Sequence, residues 1–236
     1  MATVTTTPTT KARRPQRILV IDVGGTHVKA LLTGQTTKRQ MDSGPTLTPR
    51  QMVAGVKALA AGWDYDAVSI GVPAPVVGGR ISVEPANLGR GWTRFDFARA
   101  FGRPVKVIND AAMQALGSYR GGQMLFLGIG TGLGSAIVAR GEVQPLELAH
   151  LPYRKGRDYE DYVGLRGLKR LGKKRWRQHV LAVVEILRRA MVCDDLVLGG
   201  GNAKLLKRLP VGARLGDNAN AFKGGFLLWH APKRHG

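Results

Sequence analysis

The sequence predicts an α/β fold in two lobes around a central cleft, on three observations. First, β-branched apolar runs alternate with stretches of helical periodicity, the pattern of stacked sheet and helix layers. Second, DVGGTHVKALL at 22–32 and GIGTGLGSAIV at 128–138 superpose at an offset of 106 residues. Each passes from a strand through a glycine turn into another strand, so two related halves with facing turns are expected; chance likeness of two short hairpins is the rival account. Third, 236 residues at 44% hydrophobic and 22% charged make an ordinary globular composition. A chain of this size buries roughly 70–75% of its unfolded surface without a staple. The lone Cys193 excludes an internal disulfide and a thiolate-rich zinc site, and fits a reducing, cytoplasmic setting.

Residues 1–16 are Thr-rich and acid-free, with Lys11, Arg13 and Arg14 near their end. They read as a disordered basic tail, with a transit peptide as the alternative. The N-terminal lobe is assigned to 17–112 and the C-terminal lobe to 113–236. No signal-peptide core is visible. The longest uncharged run, 121–139, holds six glycines, whereas a membrane helix needs about 20 mainly apolar residues.

The run 17–23 reads as a buried strand, 24–26 as its turn and 28–32 as the return strand. Thr48 then caps a helix with Pro49 at its first position, and Met52, Val53, Val56, Leu59 and Ala60 share one face up to Gly62. Buried strands follow at 67–72 and 105–108, the second leading through Asn109-Asp110 into a short helix over 111–118. Trp176, Val180, Val183, Val184, Leu187 and Met191 trace the stripe of a longer helix. A last strand at 196–198 meets Gly199-Gly200-Gly201, expected to turn it into a helix near Asn202.

Glycine turns let backbone N–H groups approach an anion closely. Neither turn fits GxxxxGK[ST], and the run 128–134 spaces its glycines as GxGxGxG and opens a strand, so a P-loop and a dinucleotide fold are disfavoured. Asp22, at the end of an apolar strand, needs a task or a partner. It reads either as a carboxylate that holds Mg2+, usually through water, or as a cap on its turn. Thr26 and Lys29 could donate to phosphate, though Lys29 reads equally as an exposed strand residue. Asn109-Asp110, at the carboxyl end of a strand, could supply a base to a hydroxyl or simply cap the next helix. Glu147, His150 and Glu160 suit hydroxyl recognition, with a solvated loop as the alternative.

Charge is the unusual property. Lys plus Arg total 36 against 16 Asp plus Glu, a net of +20. Segment 154–177 alone carries ten basic and three acidic residues, with Arg166, Lys169, Arg170 and Lys173 at the spacing of one helical face. A solvated face and a binding surface for an extended polyanion share that reading.

In this order and spacing the motifs resemble the ROK family of sugar kinases and repressors, and within it the glucokinases, including polyphosphate glucokinases. IDVGGTHVK at 21–29 and LGIGTGLGSA at 127–136 are similar to its two phosphate motifs, GVPAPV at 71–76 to its GxPGxV loop, NLGRGW at 87–92 to its substrate loop, IND at 108–110 to its aspartate motif and ELAH at 147–150 to ELGH. GGG at 199–201 and LGDNAN at 215–220 resemble the turns on the nucleotide side. The resemblance implies an actin-like ATPase fold of two RNase H-like lobes, with a sugar between them. It implies Asp110 as catalytic base; Asn87, Asn109, Glu147 and His150 at sugar hydroxyls, with Glu160 replacing the sugar-binding glutamate near the zinc motif of other members. Asp22, Gly24, Gly25, Thr26, Lys29, Gly130, Thr131 and Gly132 would lie around Mg2+ and phosphate, and Gly199, Gly200, Gly201 and Asn218 on the nucleotide side. No zinc site is expected. The expected reaction moves a terminal phosphoryl group from ATP or polyphosphate to the 6-hydroxyl of a hexose, glucose first. A homodimer is allowed for, and neither a membrane nor nucleic acid is an expected partner. The rival classes are a regulator, for which the first 16 residues are too short a DNA-binding domain, and a non-catalytic polyanion or nucleic-acid binder on the same scaffold.

Overall fold

The structure is a computed structural model that describes residues 17–230, so the expected basic tail lies outside the described residues. The first half builds β1 (Ile18–Val23), β2 (His27–Leu32), β3 (Arg39–Asp42), α1 (Pro49–Leu59), β4 (Ala67–Val72), a small hairpin of β5 (Val76–Val77) and β6 (Arg80–Ile81), α2 (Phe97–Phe101) and β7 (Val105–Asn109). Its sheet runs β3-β2-β1-β4-β7, antiparallel through β1, β2 and β3 and parallel through β1, β4 and β7. After α3 (Asp110–Ser118), the second half builds β8 (Gln123–Ile129), β9 (Leu133–Ala139), β10 (Glu142–Leu146), the hairpin β11 (Pro152–Arg154) and β12 (Arg157–Asp158), α4 (Glu160–Val163), α5 (Leu165–Met191), β13 (Asp195–Gly199), β14 (Ala213–Leu215) and α6 (Asn220–Leu227).

The second sheet runs β10-β9-β8-β13-β14 with the same senses. Counted in chain order within each sheet, both read 3-2-1-4-5, the RNase H-like order, and together they form the expected actin-like fold. The internal echo is therefore a repeated topology, with one difference. Val23 pairs with Val28 across four loop residues, whereas Ile129 pairs with Leu133 across three, so the second hairpin is one residue tighter.

Period-two alternation sorts the strands onto two faces. Leu19 and Ile21 pack with Met52, Val53 and Val56 of α1, while Ile18 and Val20 pack with Met113, Ala221 and Phe222 of α3 and α6. In the second sheet Leu125, Leu127 and Ile129 meet Trp176, Val180 and Val183 of α5, and Met124 and Phe126 meet Ala112, Ala115 and Leu116 of α3. The α3–α6 pair thus lies between the sheets, with α1 and α5 outside. The pair is close: a Cβ on Gly117 would collide with the Asn220 carbonyl, and one on Gly224 with the Met113 carbonyl. Late in sequence, α6 returns to the first sheet. There the buried Ser69 Oγ donates to the Gly225 carbonyl at 2.6 Å and accepts from Trp229 Nε1 at 2.8 Å.

Local chemistry explains most element ends. Thr48 caps α1 through the Gln51 N–H, and Gln51 returns the bond to the Thr48 N–H, a reciprocal capping box. Three expectations need correction. Strand β3, RQMD, was not expected, because an edge strand needs no apolar run. After Gly199-Gly200-Gly201 the chain makes only a 3-10 turn, Ala203–Leu205, since the Asn202 N–H is taken by the Ile129 carbonyl. Finally, α5 is broken at Gly172 (φ 70°, ψ 161°), which puts Lys173 out of helical register with Arg166, Lys169 and Arg170. No helix of the described residues is long and apolar enough to cross a membrane.

Candidate active site

The alternation that buries Ile18 and Val20 also turns Asp22, two residues on, toward α3, the helix that opens with Asp110. Asn109 and Asp110 divide the tasks that their position left open. Asn109 is the cap: its Oδ1 accepts the Ala112 N–H at 3.1 Å, and its Nδ2 donates to the Ala74 carbonyl at 3.3 Å. Asp110 Oδ1 accepts the Ala111 N–H at 2.8 Å, and among the described residues no side chain hydrogen-bonds its carboxyl group. Burial pushes the Asp110 carboxyl up to about 7, and the neighbouring Asp22 charge adds to the rise. Burial also raises Asp22, against the opposing pull of Lys29 and Lys38; Lys29 Nζ lies 3.9 Å from Asp22 Oδ2.

These two carboxylates stand in a cleft of about 720 Å³ between the sheets. Asp22, Gly24, Gly25 and Lys29 line it from the first loop, and Gly130, Thr131 and Gly132 from the second. Asn87, Asn109, Asp110, Glu147, His150 and Glu160 line the expected sugar side, and Gly200 and Asn218 the expected nucleotide side. Three expected residues stay outside. The Thr26 carbonyl is turned to the Ser43 N–H at 2.8 Å, Gly199 is packed under Phe126, and Gly201 is exposed beyond the cleft wall.

Of the loop amides, those of Gly25, Thr26, Thr131 and Gly132 have no acceptor among the described residues. The second loop is otherwise pinned. Asn202 accounts for two contacts, its N–H to the Ile129 carbonyl at 3.0 Å and its Nδ2 to the Gly130 carbonyl at 2.9 Å. The Leu165 N–H reaches the Thr131 carbonyl at 3.0 Å. Glu160 also faces this loop: its Oε2 accepts the Leu133 N–H at 3.2 Å while Arg166 Nη2 holds its Oε1 at 3.2 Å. A Cβ on Gly132 would strike that carboxylate, so the glycine makes room for it. Glu160 lines the cleft as expected, but its oxygens are engaged with the loop and with Arg166.

On the opposite wall, burial raises the Glu147 carboxyl, partly offset by His150 and reinforced by Glu160. His150 Nδ1 lies 3.4 Å from Asp158 Oδ2. Two supports carry no motif. Glu84 accepts N–H bonds from Gly91 at 3.0 Å and Trp92 at 3.1 Å and the Thr93 hydroxyl at 2.9 Å, fixing the loop that carries Asn87. Gln114 Nε2 donates to Asn218 Oδ1 at 3.1 Å. Asn202 was equally missed, although its place directly after three glycines is a signal that the turn must be held by something.

Among the described residues no group of three or more His, Cys, Asp or Glu side chains converges as a metal cage. A single carboxylate, Asp22, beside a loop with free amides fits Mg2+, which keeps most of its waters and takes further oxygens from phosphate. Of the basic segment, Arg166 is paired with Glu160, and Arg170 lies over the Tyr162 ring and donates to the Asp161 carbonyl. Lys169, Lys173, Lys174 and Arg175 are exposed, with no ion pair among the described residues.

A sequence model of the ROK family matches residues 18–145. A glucokinase of Pyrobaculum calidifontis is 29% identical over 137 residues, which is 53% of this chain and 44% of that one. The chain spans less than half the length of the curated relatives it matches. Among solved structures, an inorganic polyphosphate/ATP-glucomannokinase from Arthrobacter sp. strain KM superposes with a TM-score of 0.78 at 22% identity, covering 90% of this chain and 98% of that one. A ROK family glucokinase from Streptomyces griseus, in complex with glucose and AMPPNP, gives 0.71 at 17% identity, covering 90% and 98%.

Proposed function

The chain belongs to the ROK family, and from that membership we propose that it is a sugar kinase of the glucokinase type, phosphorylating the 6-hydroxyl of a hexose such as glucose. The observation that carries this reading is the convergence of both glycine loops and Asp110 on one cleft. Asn87, Glu147 and His150 receive sugar hydroxyls, and Asn109 holds the start of α3 so that Asp110 meets the acceptor. Asp110 takes the hydroxyl proton as that oxygen attacks the terminal phosphorus and the bond to the leaving phosphate breaks. Charge gathered on the donor oxygens is met by the amides of Gly25, Thr131 and Gly132 and by Lys29. A carboxyl group raised to about 7 is well matched to proton abstraction near neutral pH. Mg2+, when bound, supplies further charge neutralisation, and Asp22 is the residue that would hold it, mainly through water.

Inorganic polyphosphate is the donor we favour over ATP. Lys169, Lys173, Lys174 and Arg175 are exposed cations without an ion pair among the described residues, on either side of the break at Gly172, and an extended anion can touch several such cations where a nucleotide touches few. The Arthrobacter neighbour, named for both donors, supports keeping ATP as the second choice. A coupled assay of purified protein against a sugar panel, with the two donors supplied separately, tests both statements. Glucose phosphorylation is expected, and polyphosphate KM should climb with salt by a log–log slope of about 0.7 per phosphate contacted. A flat salt response removes the polyphosphate preference; no sugar phosphorylated with either donor removes the kinase. The net charge of +20 favours one other reading, a non-catalytic polyanion binder. Tight duplex binding at physiological salt without any turnover would establish it.

A further inference from the structure

A second cavity, of about 340 Å³, lies away from the cleft floor, between the β5–β6 hairpin, the segment 92–98 and the edge strand β7. Six apolar side chains, half of them aromatic, stand behind its floor, Ile81, Trp92, Phe95, Phe97, Val105 and Val107, of which Ile81, Trp92 and Phe97 are buried, while its rim is polar. The rings are fixed against one another, with Phe95 and Phe97 edge to face at 4.9 Å between centroids and Trp92 at 6.1 Å from Phe97. Two guanidinium groups, Arg80 and Arg94, line the same space. Both are exposed, and neither has a hydrogen bond or ion pair among the described residues. The acid on the lining, Asp96, is committed to the Arg99 N–H at 2.9 Å as the cap of α2.

We propose that this cavity binds a small amphipathic anion: an aromatic or branched apolar body carrying one carboxylate, phosphate or sulfonate group. The floor accepts the body, and the arginines accept the charged head, which a planar guanidinium can hold through two parallel bonds. The size is that of a small-molecule site. It is linked to the cleft through Glu84. Trp92 and Thr93 line the cavity, and their N–H groups are held by Glu84, which lines the cleft. An occupant that fixes Thr93 and Arg94 therefore also bears on the loop carrying Asn87.

The test is a fluorescence titration of the full chain with 8-anilinonaphthalene-1-sulfonate, alongside its uncharged counterpart N-phenyl-1-naphthylamine. One saturable site is expected for the sulfonate, at least tenfold tighter than for the neutral probe. Arg80→Gln/Arg94→Gln should weaken the sulfonate at least tenfold and leave the neutral probe unchanged, with an unaltered circular dichroism spectrum. Arg94→Lys, which keeps the charge and loses the fork, should fall between. The proposal is overturned if the double variant binds the sulfonate like the parent, or if tripolyphosphate displaces it one for one, which would put the probe at the donor surface. These readouts involve no sugar turnover, so they stand or fall apart from the kinase reading.

Discussion

The first glycine loop and the second occupy equivalent corners of one repeated topology, yet they are built differently. The first, between Val23 and Val28, is one residue longer and is flanked by charge on its own strands, Asp22 on β1 and Lys29 on β2. The second, between Ile129 and Leu133, carries none, and is held from outside by Asn202, Leu165 and Glu160. A duplicated scaffold thus supplies two ways to present amides to an anion. One is poised by its own strand residues, the other by imported contacts. Asp110 sits at the seam, on the helix packed between the sheets.

The largest expected effect is at that seam. Asp110→Asn keeps the shape and removes the base, so kcat should fall roughly 100- to 10,000-fold, while thermal unfolding at neutral pH is not lowered. Retained turnover would mean that the two loops converge on the wrong carboxylate.

The loops themselves are compared by one substitution made twice. In the first, a Cβ on Gly25 would meet only Asn87 Cβ at 3.5 Å, an ordinary contact. In the second, a Cβ on Gly132 would strike the Glu160 carboxylate and push it off the Leu133 N–H. Gly132→Ala should therefore cost about 1.5–2 kcal/mol of stability, the loss of the Glu160 carboxylate's bond to the Leu133 N–H, and Gly25→Ala within about 0.5 kcal/mol, the usual range for an uncrowded surface site. Chemical denaturation measures both. Equal losses would show that Glu160 does not bear on the second loop.

A smaller effect is expected from the main imported clamp. Asn202→Ala removes the bond to the Gly130 carbonyl and keeps the backbone one, which should cost about 1 kcal/mol. That corresponds to roughly 2–4 °C in Tm for a chain of this size. If the donor binds at the second loop, its KM should rise more than that of the sugar. A change confined to the sugar would break the assignment of this loop to the donor.

The comparison also marks what a sequence reveals. Both hairpins were legible, since glycine turns between β-branched runs are local signals, and the buried pattern of 67–72 gave β4 end to end. The adjacency of Asp22 and Asp110 was not legible from spacing: 87 residues separate them, and only strand alternation plus the placement of α3 brings them together. The contacts that distinguish the loops were invisible for the same reason. Asn202 belongs to no periodic pattern, and nothing local says that Leu133 will donate to Glu160. Gly172 is the opposite case, a residue in plain sight within a helical run. The charge periodicity of Arg166, Lys169, Arg170 and Lys173 hid its left-handed backbone, and the single basic face does not form.

The smallest effect concerns the charge that the first loop exerts on the base. Burial raises Asp110 to about 7, and Asp22 contributes to that rise. The base works only when ionised, so activity should increase with pH through an acid limb near 7 in the unmodified chain. Asp22→Asn deletes a negative neighbour and makes ionisation of Asp110 easier, so without Mg2+ the titration of Asp110, followed by NMR, should move to lower pH. Stability runs the other way. Between about 4, where the carboxyl group would ionise in the unfolded chain, and 7, the folded state holds a proton that the unfolded state has released. Raising pH through that window therefore costs stability, a cost that ends once the folded group has ionised. Asp110→Asn should flatten that part of the stability profile, while Asp22→Asn narrows the window from its upper end. An Asp110 titration unmoved by Asp22→Asn in the Mg2+-free protein would show that the charge beside the first loop is not felt at the seam. The two loops would then differ only in how they are held.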